Sequence, residues 1–236
     1  MSAPPPTGCL LPGLGADHRL FSAQLAAFPM LAVPAWPAPA PDDDLPRYAV
    51  RVASALSGKP ALLGGASFGG FVAWELAHLL RPTTLLLLGS ASSLDALRAP
   101  LRATLPLAGT AATWGLHALQ RLAPVAAALF GAQSNEQREL FCEMLRAASP
   151  RFMAWATAAL RHWRPRELPS STRLLRIHGS RDHIIAPPPH VACELVEGAG
   201  HLITMSHPSE VNRFLARALH DCASAACTAR GVPHEQ

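Results

Sequence analysis

Lysine is almost absent from this chain, and charge of either sign is scarce. Lys59 is the only lysine, so arginine supplies nearly all of the positive charge. Charged residues make up 15% of the 236 residues, and the formal net charge is +4. No basic run is interleaved with aromatic residues, so we expect no nucleic-acid partner. The weakly basic surface fits anionic partners, such as a carrier protein or membrane headgroups.

The chain also lacks the cysteine and N-terminal patterns of secreted proteins. Its five cysteines are an odd number without a C-x-x-C pair, so neither a disulfide framework nor a zinc site is indicated. No charged segment followed by an apolar stretch and a cleavage site opens the sequence. We therefore expect a protein of the reducing cytoplasm. The uncharged stretch at 103–120 is long enough to raise a membrane question, but Pro106 and Gly109 interrupt it, and we expect no transmembrane segment.

Strand-like and helix-like segments alternate through most of the chain. Half of the residues are apolar, which is enough for a sizeable core. We predict six short strands, at about residues 7–11, 30–33, 60–64, 83–88, 173–177 and 191–196. Their interiors lack polar alternation, as in strands that are covered on both faces. The pattern predicts an α/β fold with a doubly wound, mostly parallel sheet of about six strands.

The alternation stops between about Ser92 and Arg166. Alanine, leucine and arginine dominate this stretch, and its spacing predicts three or four helices. We therefore expect residues 1–91 and 167–220 to form the α/β core. Residues 92–166 would be a helical lid inserted into that core, and residues 221–236 a flexible tail.

The most informative motif is Gly65-Ala66-Ser67-Phe68-Gly69, between a predicted strand and a predicted helix. In that setting a G-x-S-x-G sequence is typical of a nucleophile elbow, a strained turn that exposes the serine hydroxyl above the sheet edge. Small residues two positions either side of the serine let the strand and helix approach closely. The alternative is an ordinary serine in a glycine-rich turn, and the motif alone does not separate the two.

A serine nucleophile needs a histidine to take its proton and a carboxylate to orient that histidine. Asp182 and His201 each follow a late strand, so both are expected at the same sheet edge as Ser67. The order Ser67, Asp182, His201 is the order of an α/β-hydrolase triad. We predict that these residues form a catalytic triad.

Each partner has rivals elsewhere in the sequence. Asp95, after the preceding strand, is the rival acid. His207 falls a turn or two beyond His201, whereas His178 and His183 flank Asp182 and are expected to lie too close in sequence to be oriented by it. For the oxyanion hole we predict the backbone N–H groups of Phe68 and Leu14, since the glycines around Leu14 permit a turn that aims an N–H inward.

Four loops of this chain resemble the signature loops of the α/β-hydrolase superfamily: Leu11-Pro12-Gly13-Leu14-Gly15, Gly65-Ala66-Ser67-Phe68-Gly69, His178-Gly179-Ser180-Arg181-Asp182 and Gly198-Ala199-Gly200-His201. The last loop, with Ser206-His207-Pro208 after it, is also similar to small cytoplasmic carboxylesterases of the pimeloyl-carrier methyl-esterase type. The resemblance implies a Ser-His-Asp hydrolase with a helical lid and with no metal or organic cofactor. It also implies extra N-terminal strands, for which residues 1–6 leave no room, and often a histidine where Pro12 stands.

The function expected from these residues is hydrolysis of carboxylic esters with small to medium, mainly apolar acyl groups. Thioester, lactone, amide or carbon–carbon bond cleavage and acyl transfer use the same triad and stay open, as does a non-catalytic binding module. Trp114, Trp155 and Trp163 are candidates to line the pocket, with plain lid packing as the alternative. An acyl carrier is a candidate partner, and we expect a monomer or a homodimer.

Overall fold

The structure, a computed structural model, describes residues 8–99, 102 and 120–229. In these ranges six strands form one parallel sheet in the order β2-β1-β3-β4-β5-β6. The strands are β1 (Gly8–Leu11), β2 (Leu31–Ala32), β3 (Leu62–Ala66), β4 (Thr84–Leu88), β5 (Arg173–Gly179) and β6 (Glu194–Val196). The predicted six-stranded parallel sheet is confirmed.

Eight α-helices are described in the same ranges. They are α1 (Ser22–Ala27), α2 (Leu45–Ala55), α3 (Phe68–Leu80), α4 (Ala123–Leu129), α5 (Asn135–Ala147), α6 (Pro150–His162), α7 (Ile203–Ser206) and α8 (Pro208–Ala229). Side-chain oxygens cap three of them at the N-terminus: Asp44 on α2, Ser134 on α5 and Ser149 on α6. Helices α4, α5 and α6 follow β4 and precede β5, in the segment predicted to be a helical insertion.

Alternate residues of the four central strands enter two separate hydrophobic clusters, one on each face of the sheet. Leu10, Leu86 and Ile177 pack on one face, with residues of α4, α5 and α8. Leu11 and Leu87 pack on the other face, with residues of α2, α3 and α6. Burial on both faces explains why the strand sequences are continuous apolar runs. The helical insertion contributes to both clusters.

The last helix is longer than the sequence analysis predicts. It ends at Ala229, and so runs through the first part of residues 221–236, the segment expected to be a flexible tail. Cys222 explains part of this extension, because its thiol lies 3.2 Å from the Thr84 hydroxyl at the start of β4. This buried contact with a distant strand stabilises the C-terminal part of the helix.

None of the helices within the described residues is long and apolar enough to cross a bilayer. Residues 103–119 of the uncharged stretch, with Trp114, lie outside those residues.

Candidate active site

Ser67 lies in a strained turn between β3 and α3, with φ +49° and ψ −118°. A positive φ is uncommon for a residue with a side chain, and it aims the serine hydroxyl away from the strand. The flanking glycines are needed for close approach. A Cβ atom at Gly65 would lie 2.1 Å from the Gly69 carbonyl carbon, and one at Gly69 would lie 2.1 Å from the Leu11 oxygen. The G-x-S-x-G sequence therefore fits this turn for steric reasons.

A second serine, not singled out in the sequence, holds the Ser67 turn from the neighbouring strand. The Ser90 hydroxyl, just past β4, donates a hydrogen bond of 2.7 Å to the Ser67 carbonyl oxygen. Gly70 makes room for it, because a Cβ atom at Gly70 would lie 2.2 Å from the Ser90 oxygen. The Ser67 N–H donates to Leu88 O at 3.2 Å. The position of Ser90 at the carboxyl end of a strand was the available signal.

His201 joins Ser67 to Asp182 through hydrogen bonds at both ring nitrogens. Nε2 lies 2.9 Å from Ser67 Oγ, and Nδ1 lies 2.7 Å from Asp182 Oδ2. An ionised carboxylate only accepts hydrogen bonds, so the network assigns the proton of the neutral ring to Nδ1. Nε2 is then free to accept the serine proton. The three residues predicted to form a triad lie in one hydrogen-bonded chain.

Asp182 is fully buried, and both of its carboxylate oxygens are hydrogen-bonded. Oδ1 accepts from the backbone N–H groups of Ile184 and Ile185, at 2.8 and 2.9 Å. Burial by itself raises the pKa of Asp182, but electrostatic attraction to the His201 imidazole and the hydrogen bonds from His178, His201 and Ile185 outweigh it. The pKa of Asp182 is therefore held well below its usual range, and the carboxylate stays ionised beside His201.

His178 also contacts this carboxylate, which the sequence analysis did not anticipate. Its Nε2 lies 3.1 Å from Asp182 Oδ2 and 2.9 Å from Ile185 O. Both neighbours are acceptors, so Nε2 carries a proton and donates. The expectation that His178 is too close in sequence to be oriented by Asp182 is wrong, because the side chain projects from β5 toward the turn that carries the acid. The H-x-x-x-D spacing was the available signal.

The other rival residues, Asp95, His207 and His183, lie outside the hydrogen-bonded chain. The Asp95 side chain is 92% exposed and accepts a hydrogen bond from Ser93. His207 Nδ1 is bonded to the neighbouring Ser206 hydroxyl, and His183 is exposed. Among the described residues, no group of three or more histidine, cysteine and acidic side chains is arranged to hold a metal ion.

The glycine-rich loop after β1 lies directly against Ser67. A Cβ atom at Gly13 would be 3.5 Å from Ser67 Cβ. Within the described residues, the N–H groups of Leu14 and Phe68 have no hydrogen-bond partner. The insertion covers this loop, since a Cβ atom at Gly15 would meet Leu145 of α5 at 2.8 Å. Unpaired N–H donors in the Ser67 turn and in the loop packed against it are suited to hold a developing oxyanion.

Five aromatic rings pack together beside the Ser67 turn and form what we call the aromatic cluster: Trp36, Tyr48, Phe68, Phe152 and Trp155. The Phe68 ring centroid lies 5.6 Å from that of Trp36 and 6.0 Å from that of Phe152. Trp36 and Phe152 were not singled out in the sequence. Trp36 lies in the proline-rich loop after β2, at the sheet edge where ligands of parallel sheets bind, and this was the available signal.

The two candidate pocket tryptophans that the structure describes use their indole N–H groups on the core. Trp155 donates to Asp43 O at 2.9 Å, and its ring lies 4.4 Å from that of Tyr48. Trp163 is 3% exposed and donates to the buried carboxylate of Glu75 at 2.8 Å. These two hydrogen bonds connect α6 and the residue after it to α3 and to the loop that precedes α2. Trp155 belongs to the aromatic cluster beside Ser67, whereas Trp163 packs on Phe71.

A sequence profile of the alpha/beta hydrolase family matches residues 10–214, which include Ser67, Asp182 and His201. The chain belongs to the alpha/beta hydrolase family. The resemblance of its four loops to that superfamily is thus confirmed, and the hydrolase interpretation gains support from a match that covers most of the chain. The narrower similarity to pimeloyl-carrier methyl-esterases stays a prediction. No curated protein matches the sequence.

Solved structures resemble this alpha/beta hydrolase over nearly its whole length. A thermophilic esterase from Thermogutta terrifontis is 20% identical with a TM-score of 0.65, and the match covers 91% of this chain and 89% of that one. The enol-lactonase from Burkholderia xenovorans is 18% identical with a TM-score of 0.69, covering 92% of each chain. A hydrolase from Pseudomonas aeruginosa is 21% identical with a TM-score of 0.67, covering 89% and 88%. At such identities the likeness shows the fold.

Proposed function

We propose that this alpha/beta hydrolase cleaves carboxylic esters of small to medium, mainly apolar acyl groups through an acyl-enzyme. The observation that carries the proposal is the continuous hydrogen-bonded chain from Ser67 Oγ through the His201 ring to Asp182 Oδ2, with distances of 2.9 and 2.7 Å. Esterases among the structural neighbours support the choice of bond, although at 15–20% identity they establish only the fold.

The reaction follows from the protonation states of Ser67, His201 and Asp182. His201 Nε2 takes the proton of Ser67 as Oγ attacks the ester carbonyl, and the carbonyl electrons move onto the oxygen. The N–H groups of Phe68 and Leu14 stabilise that oxyanion. Each such donor contributes about 3–4 kcal/mol of transition-state stabilisation. The imidazolium then gives its proton to the leaving alcohol, and Asp182 stabilises the charged ring while holding its orientation.

Water completes the cycle on the same residues. His201 deprotonates a water molecule, which attacks the acyl-Ser67 carbonyl. The second tetrahedral intermediate collapses, the carboxylic acid leaves, and Ser67 regains its proton from His201.

The proposed preference for apolar acyl groups rests on the side chains that surround Ser67 and His201. The aromatic cluster adjoins Ser67 through Phe68, whose ring packs on those of Trp36 and Phe152. Apolar walls favour apolar substrate groups by burying their surface. We further propose that α4, α5 and α6 act as a lid over the oxyanion loop. A series of p-nitrophenyl esters from acetate to dodecanoate tests the preference, and faster turnover of charged or sugar-bearing acyl groups would contradict it.

Replacement of the nucleophile tests the mechanism itself. Ser67→Ala is expected to lower p-nitrophenyl butyrate turnover by about 10⁴-fold or more, because no hydroxyl remains to form the acyl-enzyme. The unfolding midpoint serves as the control for an intact fold. A fluorophosphonate probe is expected to modify wild-type protein stoichiometrically at Ser67, located by peptide mass spectrometry. Unchanged turnover in the variant would exclude the mechanism, and an unlabelled wild type would favour a binding module.

Lactone hydrolysis is the second candidate, because an enol-lactonase shares the fold over 92% of this chain. A lactone is a cyclic ester, so the same attack opens the ring and the leaving alcohol stays attached to the acyl group. Thioester, amide and carbon–carbon bond cleavage and acyl transfer are further options for this triad. Lactones and thioesters can each be added as competing substrates in the p-nitrophenyl butyrate assay. The degree of inhibition ranks the substrate classes by kcat/KM.

The setting of the reaction is also part of the proposal. Cys9, Cys142, Cys193 and Cys222 are free thiols, as in proteins of a reducing cytoplasm. The net charge of +4 suits an acidic acyl carrier as substrate donor. We expect a monomer or homodimer in solution. Sedimentation measures the assembly, and a higher kcat/KM for carrier-bound than for free acyl esters would support a carrier.

A further inference from the structure

The turn that follows α4 packs directly against the loop that carries His201. The Phe130 carbonyl oxygen accepts a hydrogen bond of 2.8 Å from the N–H of Leu202, the residue after the histidine. The backbones of Gly131 and Gly200 also meet, since a Cβ atom at Gly131 would lie 2.7 Å from Gly200 Cα. The helical insertion therefore reaches the loop beside the imidazole through main-chain contacts on both sides of that residue.

The Phe130 side chain continues this contact onto the imidazole itself. Its ring centroid lies 5.3 Å from that of His201, and the two planes are nearly perpendicular at 79°. Edge-to-face packing of this kind is a favourable arrangement of two rings. Phe141 of α5 supports Phe130 from behind, with ring centroids 5.2 Å apart. The imidazole thus has an apolar neighbour that is itself held in place by a buried residue of the insertion.

Asp182 alone does not fix the imidazole. A single hydrogen bond at Nδ1 leaves the ring free to turn about that bond, and Nε2 must stay aligned with Ser67 and later with the leaving group. A packed ring on one side of the imidazole restricts this rotation. Misplacement of a catalytic group by about 1 Å costs on the order of 100-fold in rate.

We propose that Phe130 is a positioning residue for His201, so that the insertion helps to assemble the reactive centre as well as to cover it. The inference rests on the proposed triad. It assigns the contact between α4 and the histidine loop a role that neither the family match nor the motif specifies. Displacement of α4 would then release the imidazole as well as open the site.

Phe130→Ala and Phe141→Ala form the matched pair that tests this inference. Both remove a phenyl ring from the same cluster of the insertion, and only Phe130 contacts His201. The measurements are kcat and KM for p-nitrophenyl butyrate, the rate of fluorophosphonate labelling at Ser67, and the unfolding midpoint. We expect Phe130→Ala to lower kcat and the labelling rate by about 10- to 100-fold with KM little changed. Phe141→Ala should lower the unfolding midpoint by a similar amount while losing less than about threefold in kcat.

Each outcome decides between the two levels of the proposal. Labelled wild type with equal labelling rates in the two variants overturns the role of Phe130 and leaves the triad standing. Wild type that is not labelled overturns the proposed function, and the positioning role with it. If Phe130→Ala does not fold, Phe130→Leu and Phe141→Leu replace the pair. Because a leucine retains part of the contact, Phe130→Leu should lower kcat and the labelling rate by less than about tenfold, but by more than Phe141→Leu does.

A glycine pair tests the main-chain side of the same contact. Gly131 and Gly198 both have positive φ, +89° and +76°, so alanine strains either backbone alike. At Gly198 a Cβ atom meets nothing within 4 Å, whereas at Gly131 it meets Gly200. Gly131→Ala is expected to lower the labelling rate at least about tenfold more than Gly198→Ala does. Equal effects of the two substitutions would contradict a role of the contact between Gly131 and Gly200 in positioning His201.

Discussion

At the scale of single residues, the hydrogen bonds of Asp182 restrict one side of the imidazole, at Nδ1. Its Oδ1 accepts from two backbone N–H groups, and its Oδ2 accepts from His201 Nδ1 and from His178 Nε2. A buried carboxylate with four donors has little freedom to turn. His178 thereby acts on His201 through the carboxylate that they share, without touching Ser67.

Replacement of His178 measures the value of this second donor. His178→Gln keeps a nitrogen donor near the position of Nε2, whereas His178→Met keeps similar volume and removes the donor. We expect kcat for p-nitrophenyl butyrate to fall about tenfold in His178→Met, the equivalent of one charge-assisted hydrogen bond of about 1.5 kcal/mol. His178→Gln should recover most of this loss. Equal kcat in both variants, with only the unfolding midpoint lowered, would make His178 a packing residue.

The sequence predicts Ser67, Asp182 and His201 because each stands in a short loop directly after a strand, where local composition and order carry the signal. Ser90, His178 and Phe130 have no such signal of comparable strength. Phe130 reaches His201 from 71 positions earlier in the chain, and a contact of this kind depends on how the insertion folds back. Pairing across such distances is absent from the local pattern of one sequence.

At the scale of elements, the crossing of β3 and α3 at Ser67 depends on glycine. Gly64 and Gly65 are neighbours in β3, and their side-chain positions face opposite sides of the sheet. A Cβ atom at Gly64 would meet side-chain atoms of Leu10 and Leu86 at 2.9 and 3.0 Å. At Gly65 it would meet the backbone of Gly69, which cannot move without separating the helix from the strand.

This difference predicts unequal effects of two adjacent substitutions. Gly64→Ala should cost about 1–3 kcal/mol of unfolding free energy as overpacking, because the Leu10 side chain can shift and Leu86 Cβ, at 3.0 Å, has to move only slightly. Gly65→Ala should cost more and should also abolish fluorophosphonate labelling, because the turn that exposes Ser67 opens. Urea unfolding midpoints and soluble yield are the measurements. A Gly65→Ala protein as stable and as reactive as Gly64→Ala would refute the steric argument.

Element boundaries are predicted best where the sequence is uniform. The fully apolar run of β4 is predicted to within one residue, since every side chain in it is buried. Strand β6 starts at Glu194 rather than near Val191, since Glu194, opposite Ile177, is the first residue of this segment that pairs with β5. Helix α8 runs into residues 221–236, the expected tail, where Cys222 contacts Thr84 of β4.

At the scale of the whole molecule, the buried Asp182 carboxylate links stability to pH. Its pKa is lower in the folded than in the unfolded chain, where an aspartate titrates near about 3.9. The stabilising contribution is therefore fully present above about pH 5, and it is lost as the pH falls through the unfolded value toward the folded one. Wild type and Asp182→Asn should differ most in unfolding midpoint near neutral pH, and the difference should narrow progressively as the pH falls below about 4.

Asp95→Asn is the matched control for this titration. It makes the same chemical change at a side chain that is 92% exposed, and should leave the pH dependence of the unfolding midpoint unchanged. A wild-type advantage over Asp182→Asn that is constant from pH 3 to 7 would contradict the linkage.

The terminal strands of the sheet are short, two residues in β2 and three in β6. An extended segment of another protein that pairs with either edge strand could form only a few main-chain hydrogen bonds before the edge strand ends. On the β2 side Pro34 and Pro37 follow at once, and neither has an amide hydrogen to offer. Short edge strands of this kind disfavour edge-to-edge pairing between copies of the protein, so a mostly apolar parallel sheet is protected from templated aggregation.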